Sequence, residues 1–225
     1  MLNPRRKLMG QLKVKSFSIS MDGFGAGPNQ SLENPLGEGA MKVHEWVFST
    51  KSFQKMHGSG SGGELGIDND FAEAGFLNIG AWILGRNMFG PIRGEWPNEE
   101  WKGWWGTNPP YHCPVYVLTN HPREPISMEG GTTFHFVTEG IHKALELAQK
   151  SAGNKDVRLG GGVSTIRQYL QEKLIDELHL VVSPVLLGRG ESLLSGIDLI
   201  SLGYELTTYK TSPKAMHLII ERKNG

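Results

Sequence analysis

Short apolar runs separated by polar or glycine-rich stretches make up most of the chain. Residues 13–20 alternate as a half-buried strand does, with Val14, Phe17 and Ile19 as the apolar members. Compact apolar runs bounded by turn residues predict further buried strands. These runs cover residues 81–84, 115–119, 133–137, 157–159 and 178–182, and residues 204–210 and 215–222 are typical of a closing antiparallel pair.

Apolar residues at helical spacing predict helices between these strands. We expect one helix over residues 41–56, a short helix over residues 70–75 capped by Asp70, a helix after residue 138 and another from Ser164. The alternation of strands and helices predicts an α/β fold whose mostly parallel central sheet ends in a C-terminal antiparallel hairpin.

Charge and composition narrow the class of protein. Lys plus Arg and Asp plus Glu are both 23, so the formal net charge is zero, which argues against nucleic acid or an anionic membrane as partner. No apolar stretch reaches about 18 residues, and we expect a cytoplasmic protein without a membrane span. Cys113 is the single cysteine, and the histidines lack metal-ligand spacing, so we predict no metal site.

Glycine is enriched, with 30 among 225 residues, and one cluster follows a predicted strand directly. In residues 157–165 that strand runs into Gly160, Gly161 and Gly162, and a helix begins at once. Glycines allow close approach, and the unpaired N–H groups of a helix N-terminus suit a pyrophosphate. The segment is neither a P-loop nor the G-x-G-x-x-G fingerprint, and a tight turn that needs glycine only for packing remains the alternative.

Two other predicted strands end in residues that could bind a phosphate. Gly85 is followed by Arg86, where a new helix could start, and residues 118–120 are followed by Arg123. In open α/β sheets, ligands collect outside the carboxyl ends of the strands. Two arginines near one phosphate would favour NADP over NAD, because a 2′-phosphate needs cationic partners.

Taken in order, these segments resemble the dihydrofolate reductase superfamily, and most closely its branch related to the reductase domain of bacterial riboflavin biosynthesis. The similarity extends from about Val14 to Arg222. It rests on the ordered set that includes residues 20–23, 83–86, 117–119, 159–162 and 183–190. The resemblance implies one three-layer α/β domain over residues 13–223, preceded by an extension over residues 1–12.

The resemblance also implies NADPH as cofactor, a small-molecule substrate and a homodimer. The implied cofactor residues lie in three segments, namely Gly85, Arg86, Asn87 and Met88; Leu118, Thr119 and Asn120; and Leu159, Gly160, Gly161, Gly162, Val163, Ser164 and Thr165. Residues 23–29 match the loop that closes over the nicotinamide in dihydrofolate reductases.

The chain departs from the family pattern at the position of the proton donor. Dihydrofolate reductases place a carboxylate on the first helix, where this chain offers Glu45, but the insertion over residues 30–40 makes Glu38 a second candidate. Asp22 is a third, since the riboflavin branch has a matching Asp-Gly pair near its active site. A solvated Glu45 and a turn-bracing Asp22 are the structural alternatives.

The substrate side carries a tryptophan-rich loop over residues 91–114. Trp105 could stack on a flat heterocycle, or the tryptophans could pack the loop on the domain or form a dimer face. Arg189 is the candidate for a phosphoribosyl group. We therefore expect an NADPH-dependent reductase of a pteridine-like or aminopyrimidine substrate, as in riboflavin biosynthesis. A catalytically inactive nucleotide-binding protein of the same fold is the alternative.

Overall fold

The computed structural model describes residues 10–58, 62–90 and 94–223. Its strands are β1 (Leu12–Ser20), β2 (Phe24–Ala26), β3 (Ile79–Gly85), β4 (Pro114–Leu118), β5 (Ile126–Ser127), β6 (Thr133–Val137), β7 (Asp156–Gly161), β8 (Glu177–Ser183), β9 (Glu191–Ser192), β10 (Tyr204–Thr211) and β11 (Met216–Arg222). Its α-helices are α1 (Glu45–Phe48), α2 (Lys51–Met56), α3 (Ile67–Ala74), α4 (Arg86–Phe89), α5 (Ile141–Ala152) and α6 (Val163–Gln171).

Nine of these strands form one sheet in the order β10-β11-β8-β1-β7-β3-β4-β6-β5. The neighbours from β8 to β6 all pair in parallel, whereas β10, β11 and β5 join antiparallel. The predicted α/β architecture, with a mostly parallel sheet and a C-terminal hairpin, is confirmed. β2 and β9 pair separately beside the sheet.

Both faces of the sheet are covered, which makes three layers. On one face, α5 and α6 bury their apolar stripes against β1, β3, β7 and β8. On the other face, α1 and α3 cover β8, and the tryptophan-rich loop covers β3, β4 and β6. Burial on both faces explains why these strands are near-continuous apolar runs in the sequence.

Two helix predictions need correction. The helix expected over residues 41–56 is broken into a 3-10 turn (Ala40–His44), α1 and α2. The second break occurs at Thr50, whose backbone is extended. Its side-chain oxygen caps α2 by accepting a hydrogen bond from the Phe53 N–H. Asp70 is not a cap either, because α3 begins at Ile67 with Gly66 as its N-cap.

β1 begins slightly before the expected domain boundary. The Gln11 N–H donates to Asp156 and the Leu12 N–H to Asp176, so residues 11 and 12 are tied to the sheet. Of the expected extension over residues 1–12, residues 1–9 lie outside the described residues. Within the described ranges, no helix is both long and apolar enough to cross a lipid bilayer.

Candidate functional site

The parallel strands β1, β3, β4, β7 and β8 end at the same edge of the sheet, and this edge gathers the segments that the sequence singled out. β7 lies between β1 and β3, and Leu84 pairs with Gly161, so the Arg86 segment and the glycine turn are neighbours. A Cβ at Gly85 would lie 2.2 Å from the Thr165 hydroxyl oxygen. Glycine at this position therefore allows the end of β3 to approach α6.

The glycine turn presents backbone atoms to one side. Gly161 has a φ of +125°, and Gly162 is the N-cap of α6. A Cβ added to Gly162 would meet no described atom within 4 Å, so open space lies beside it. No side chain of the described residues caps α6, which leaves its first N–H groups and the positive end of its dipole available to an anion.

The other residues predicted around this turn divide into buried and exposed positions. Leu159, Val163 and Thr165 are buried in the core, so only their backbone groups could face a ligand. Ser164 is exposed at the start of α6. Gly160 packs closely on β3, since a Cβ there would lie 2.6 Å from the Leu84 side chain.

Arg86 begins α4, as the sequence suggested. Its Nη1 donates to the Thr119 hydroxyl at 3.0 Å, and its guanidinium lies 3.2 Å from the centre of the Trp96 ring. The Nε and Nη2 atoms are buried without a hydrogen-bond partner among the described residues. Burial, and secondarily the charge of Arg123, lower the pKa of Arg86. These donors belong to a residue at the end of the strand beside the glycine turn, and a phosphate group that reached them would satisfy both.

Arg123 lies close by but is not free to bind a phosphate. Its side chain is 1% exposed, and it donates to the Glu99 carboxylate at 2.6 Å and to the Glu99 and Trp101 carbonyls at 2.8 Å. Its guanidinium is also 4.8 Å from the centre of the Trp96 ring. The expectation of two phosphate-binding arginines thus reduces to Arg86, with Arg123 as an anchor of the tryptophan-rich loop.

The remaining predicted cofactor residues lie along the same edge. The Asn87 amide donates to Gln30 at 3.3 Å, which joins the insertion after β2 to the start of α4. Met88 is 37% exposed. Leu118 is half-buried at the end of β4, and Asn120 is exposed just beyond it.

In the tryptophan-rich loop, described over residues 94–113, some tryptophans pack the loop on the domain and others border open space. Trp96 and Trp101 pack it on the domain, since their indole N–H groups donate to the His121 and Phe89 carbonyls at 3.0 and 2.9 Å. Trp105 is 37% exposed. An open pocket of about 410 Å³ is lined by Met56, His57, Trp104, Trp105, Asn108 and Pro110.

The three candidate proton donors are in different environments. Asp22 accepts hydrogen bonds from the Ser20 hydroxyl and from the backbone N–H groups of Leu187 and Gly188. Chiefly because of the Ser20 hydrogen bond, the pKa of Asp22 is lowered. A carboxylate that stays ionised is a poor proton donor at neutral pH.

Glu38 and Arg189 form a surface ion pair at 3.2 Å, and Glu38 also accepts from the Asn29 amide. Glu45 is exposed in the first turn of α1. Next to it, burial lowers the pKa of His44 to about 4, and the His44 Nε2 has no hydrogen-bond partner in the described part of the chain.

Two contacts and one buried side chain at this edge were not predicted from the sequence. The contacts are the stacking of Trp96 on Arg86 and the Gln30–Asn87 hydrogen bond, and the side chain is His44, whose Nε2 has no partner among the described residues. Both contacts depend on the tertiary fold, and no local sequence pattern predicts them. Across the described ranges, no group of three or more His, Cys, Asp and Glu could hold a metal ion.

Comparisons with known proteins agree with this fold. The family model described as the RibD C-terminal domain matches residues 14–218. A crystal structure described as a riboflavin biosynthesis protein from Shewanella sp. PV-4 is 19% identical, with a TM-score of 0.56 over 96% of this chain and 100% of that chain.

Dihydrofolate reductase from Enterococcus faecalis, complexed with NADP(H) and RAB-propyl, is 14% identical, with a TM-score of 0.49 over 96% of this chain and 100% of that chain. No curated protein is significantly similar in sequence. The family match covers most of the chain, from the first half of β1 into β11, and the chain therefore belongs to the RibD C-terminal domain family.

Proposed function

We propose that the protein is an NADPH-dependent reductase of a small, flat, nitrogen-containing heterocycle. Membership of the RibD C-terminal domain family indicates an oxidoreductase, and a reductase of a riboflavin or folate pathway in particular. One observation carries the assignment of the cofactor. Arg86 has two buried donors without a partner among the described residues, and the strand that it follows ends beside the glycine turn and the open N-terminus of α6.

The residues present fit a dinucleotide with an additional phosphate. The glycine turn and the first N–H groups of α6 would hold the pyrophosphate, because a helix N-terminus and glycine backbone favour phosphate oxygens. Arg86, fixed by Thr119 and Trp96, would hold the 2′-phosphate that distinguishes NADPH from NADH. When bound, NADPH would supply the hydride, while the protein aligns the reactants and excludes water.

Glu45 is the residue we assign to proton supply. Asp22 is held ionised by its hydrogen bonds, and Glu38 is paired with Arg189, so both carboxylates already have other partners. Glu45 lies on the first α-helix after the glycine-rich loop. Its proposed role is to donate, directly or through water, the proton that balances hydride addition to a C=N bond.

The pocket beside the tryptophan-rich loop is the proposed position of the substrate ring. Its volume of about 410 Å³ is within the range of small-molecule sites. Trp105 would stack on the ring, since its side chain is partly exposed and lines the pocket. A phosphoribosyl substrate would require Arg189 to exchange Glu38 for a phosphate, and an exposed ion pair opposes this exchange only weakly.

The test is NADPH oxidation, followed by its absorbance, with pteridines and aminopyrimidines offered with and without a phosphoribosyl group. We expect turnover with at least one substrate, a large loss of kcat in Glu45→Gln, and little change in the control Glu38→Gln. NADPH binding without turnover of any substrate would favour a nucleotide-binding protein, the alternative suggested by the structural contacts of Asp22. Absence of NADPH binding would overturn both the reductase and the nucleotide-binding protein.

The homodimer and the cytoplasmic location remain proposals. Sedimentation of the purified protein tests whether it is a homodimer.

A further inference from the structure

β1 contains a bulge next to the candidate site. Val14 pairs with Leu178 and Phe17 with Leu180, so three steps along β1 match two steps along β8. The extra residue reverses the alternation of side chains, and as a result Val14 and Phe17 pack against the same core beneath α5 and α6. In a regular strand, Phe17 would point to the opposite face.

Two side chains from the flanking strands satisfy the backbone groups at this bulge. The Ser16 N–H donates to the His179 Nδ1 of β8 at 3.1 Å. The Lys15 carbonyl accepts from the Arg158 Nη2 of β7 at 3.1 Å. Ser16 has a φ of 55°, in the left-handed region that is uncommon for a residue with a side chain. The bulge therefore depends on partners outside β1.

A buried chain of hydrogen bonds fixes the tautomer of His179. Because its Nδ1 accepts from Ser16, its proton lies on Nε2, which donates to the His217 Nδ1 at 3.0 Å. The His217 proton then lies on Nε2 and donates to Asp68 at 2.8 Å. Both rings are at most 1% exposed, and Phe71 packs against both. Burial, the largest cause, lowers the pKa of His179 to about 3, so the ring is neutral at working pH.

Phe17 lies against the glycine turn. A Cβ at Gly25 would be 2.8 Å from its ring, and a Cβ at Gly161 would be 3.0 Å from it. Glycine at both positions lets the ring occupy the space between β2 and the end of β7. Phe17 thus acts as a spacer beneath the backbone that would hold the pyrophosphate.

We propose that His179 is a positioning residue for the glycine turn. By accepting the Ser16 N–H, it holds the bulge that directs Phe17 toward Gly161, and Asp68 and His217 keep its Nδ1 free to accept. The effect of this geometry on cofactor affinity rests on the proposed NADPH site. The placement of Phe17 itself does not.

The experiment compares His179→Leu, which removes the acceptor, with His179→Asn, whose side-chain oxygen can take the place of Nδ1. His135→Leu is the matched control, because it replaces a half-buried histidine on β6, away from the bulge. The direct readout is the NMR shift of the Gly25 and Gly161 protons, which the Phe17 ring current displaces. Phe17→Leu defines their positions without the ring. The second readout is the dissociation constant of NADPH.

We expect the glycine resonances of His179→Leu to move toward those of Phe17→Leu, with NADPH affinity reduced at least tenfold. His179→Asn should restore both, and His135→Leu should alter neither. Wild-type glycine shifts in a folded His179→Leu, or no rescue by His179→Asn, would overturn the proposal. If wild-type protein binds no NADPH, the proposed function fails, while the glycine shifts still decide the placement of Phe17.

A variant of Asp68, the last residue in the series of hydrogen bonds from Ser16 through His179 and His217, keeps the proposal testable if His179→Leu does not fold. Asp68→Leu leaves the His217 Nε2–H without its acceptor. We expect the glycine resonances to shift part of the way toward those of Phe17→Leu. Unchanged resonances would show that the tautomer of His179 does not depend on Asp68 and would overturn that part of the inference.

Discussion

The carboxylate of Asp22 accepts a hydrogen bond from the backbone N–H of Gly188 at 2.7 Å, although the two residues are 166 positions apart. A second bond from the Leu187 N–H ties the turn after β1 to the loop after β8. The Ser20 hydroxyl, which donates to Asp22, also accepts from the Phe24 N–H. Asp22 therefore organises the backbone beside the candidate site through its ionised form.

The first prediction concerns the stability of Asp22→Asn. The pKa of Asp22 is lowered from 3.8 in the folded state, so its carboxylate stabilises the fold above that pH, and this stabilisation is lost as the pH falls through the folded pKa. We expect Asp22→Asn to be less stable than wild type at pH 7, with the difference shrinking below about pH 4. Urea unfolding at several pH values measures it.

The same variant distinguishes a structural role of Asp22, as a hydrogen-bond acceptor that holds the turn (a brace), from a role as proton donor. If Asp22 is a brace, Asp22→Asn changes KM or thermal stability but leaves the pH dependence of kcat unchanged, whereas Glu45→Gln alters that dependence. Loss of an ionisation from the kcat profile in Asp22→Asn would contradict our assignment of Glu45.

The second prediction is that Gly162→Ala separates folding from cofactor binding. A methyl group there meets no described atom within 4 Å, so we expect the free energy of unfolding to change by less than about 1 kcal/mol. The methyl group would occupy the open space where phosphate oxygens approach α6, and NADPH should bind at least tenfold more weakly. Fluorescence quenching of the tryptophans measures the affinity.

Two other glycines serve as comparisons for Gly162. Gly161→Ala combines a φ of +125° with a 3.0 Å approach to Phe17, and Gly85→Ala would place a methyl group 2.2 Å from Thr165. We expect both variants to lose about 1–3 kcal/mol of stability. Equal NADPH affinity in Gly162→Ala and wild type would mean that the turn serves packing alone.

The third prediction concerns the choice between NADPH and NADH. Arg86→Ala should weaken NADPH binding about 10- to 100-fold, as expected for loss of a charge-assisted contact, and should leave NADH binding nearly unchanged. Arg86→Lys keeps the charge but loses the planar fork, so it should recover only part of the affinity. Lys143→Ala, a surface change on α5, is the control. Equal losses for both dinucleotides would contradict a 2′-phosphate site.

Local patterns predicted most of the fold and part of the site. The strand-to-glycine transitions at residues 85 and 160–162 are contained in short segments, and so they were visible in the sequence. The contacts of Trp96 with Arg86 and of Asp22 with Gly188 depend on the tertiary fold. Thr50 interrupts the expected first helix because its side chain caps the next one. The spacing of apolar residues, from which the helix was predicted, contains no information about this cap.

The bulge in β1 lies between features that a short segment of sequence shows and contacts that only the tertiary fold creates. Val14 and Phe17 are three residues apart, and a regular strand would place them on opposite faces. The expected regular alternation over residues 13–20 was therefore wrong at this point, and the three-residue spacing identified neither the residue that bulges nor its partners. His179 and Arg158, on two other strands, supply the acceptor and the donor.

The fourth prediction is that Trp105 and Trp101 have different roles. Trp105 lines the pocket, so Trp105→Ala should raise the KM for the substrate about tenfold or more with little change in NADPH affinity. Trp101 packs against β3 and β4 in the core beneath the loop and donates to the Phe89 carbonyl. Trp101→Ala should instead lower stability by about 3–5 kcal/mol. Steady-state kinetics and urea unfolding distinguish them, and an unchanged KM in Trp105→Ala would place the substrate elsewhere.

The last prediction is that Arg123 anchors the tryptophan-rich loop. Its nearly inaccessible guanidinium donates to Glu99 and Trp101, which both lie in that loop, and Arg123→Ala would remove these bonds together with the contact of the guanidinium with the Trp96 ring. We expect a loss of about 1–3 kcal/mol in stability and faster tryptic cleavage after the exposed Lys102. Because Trp96 is part of the same loop and stacks on Arg86, the preference for NADPH over NADH should also fall. Lys102→Gln, which removes the cleavage site, is the control for proteolysis. Wild-type cleavage rates in Arg123→Ala would show that the indole hydrogen bonds of Trp96 and Trp101 hold the loop without Arg123.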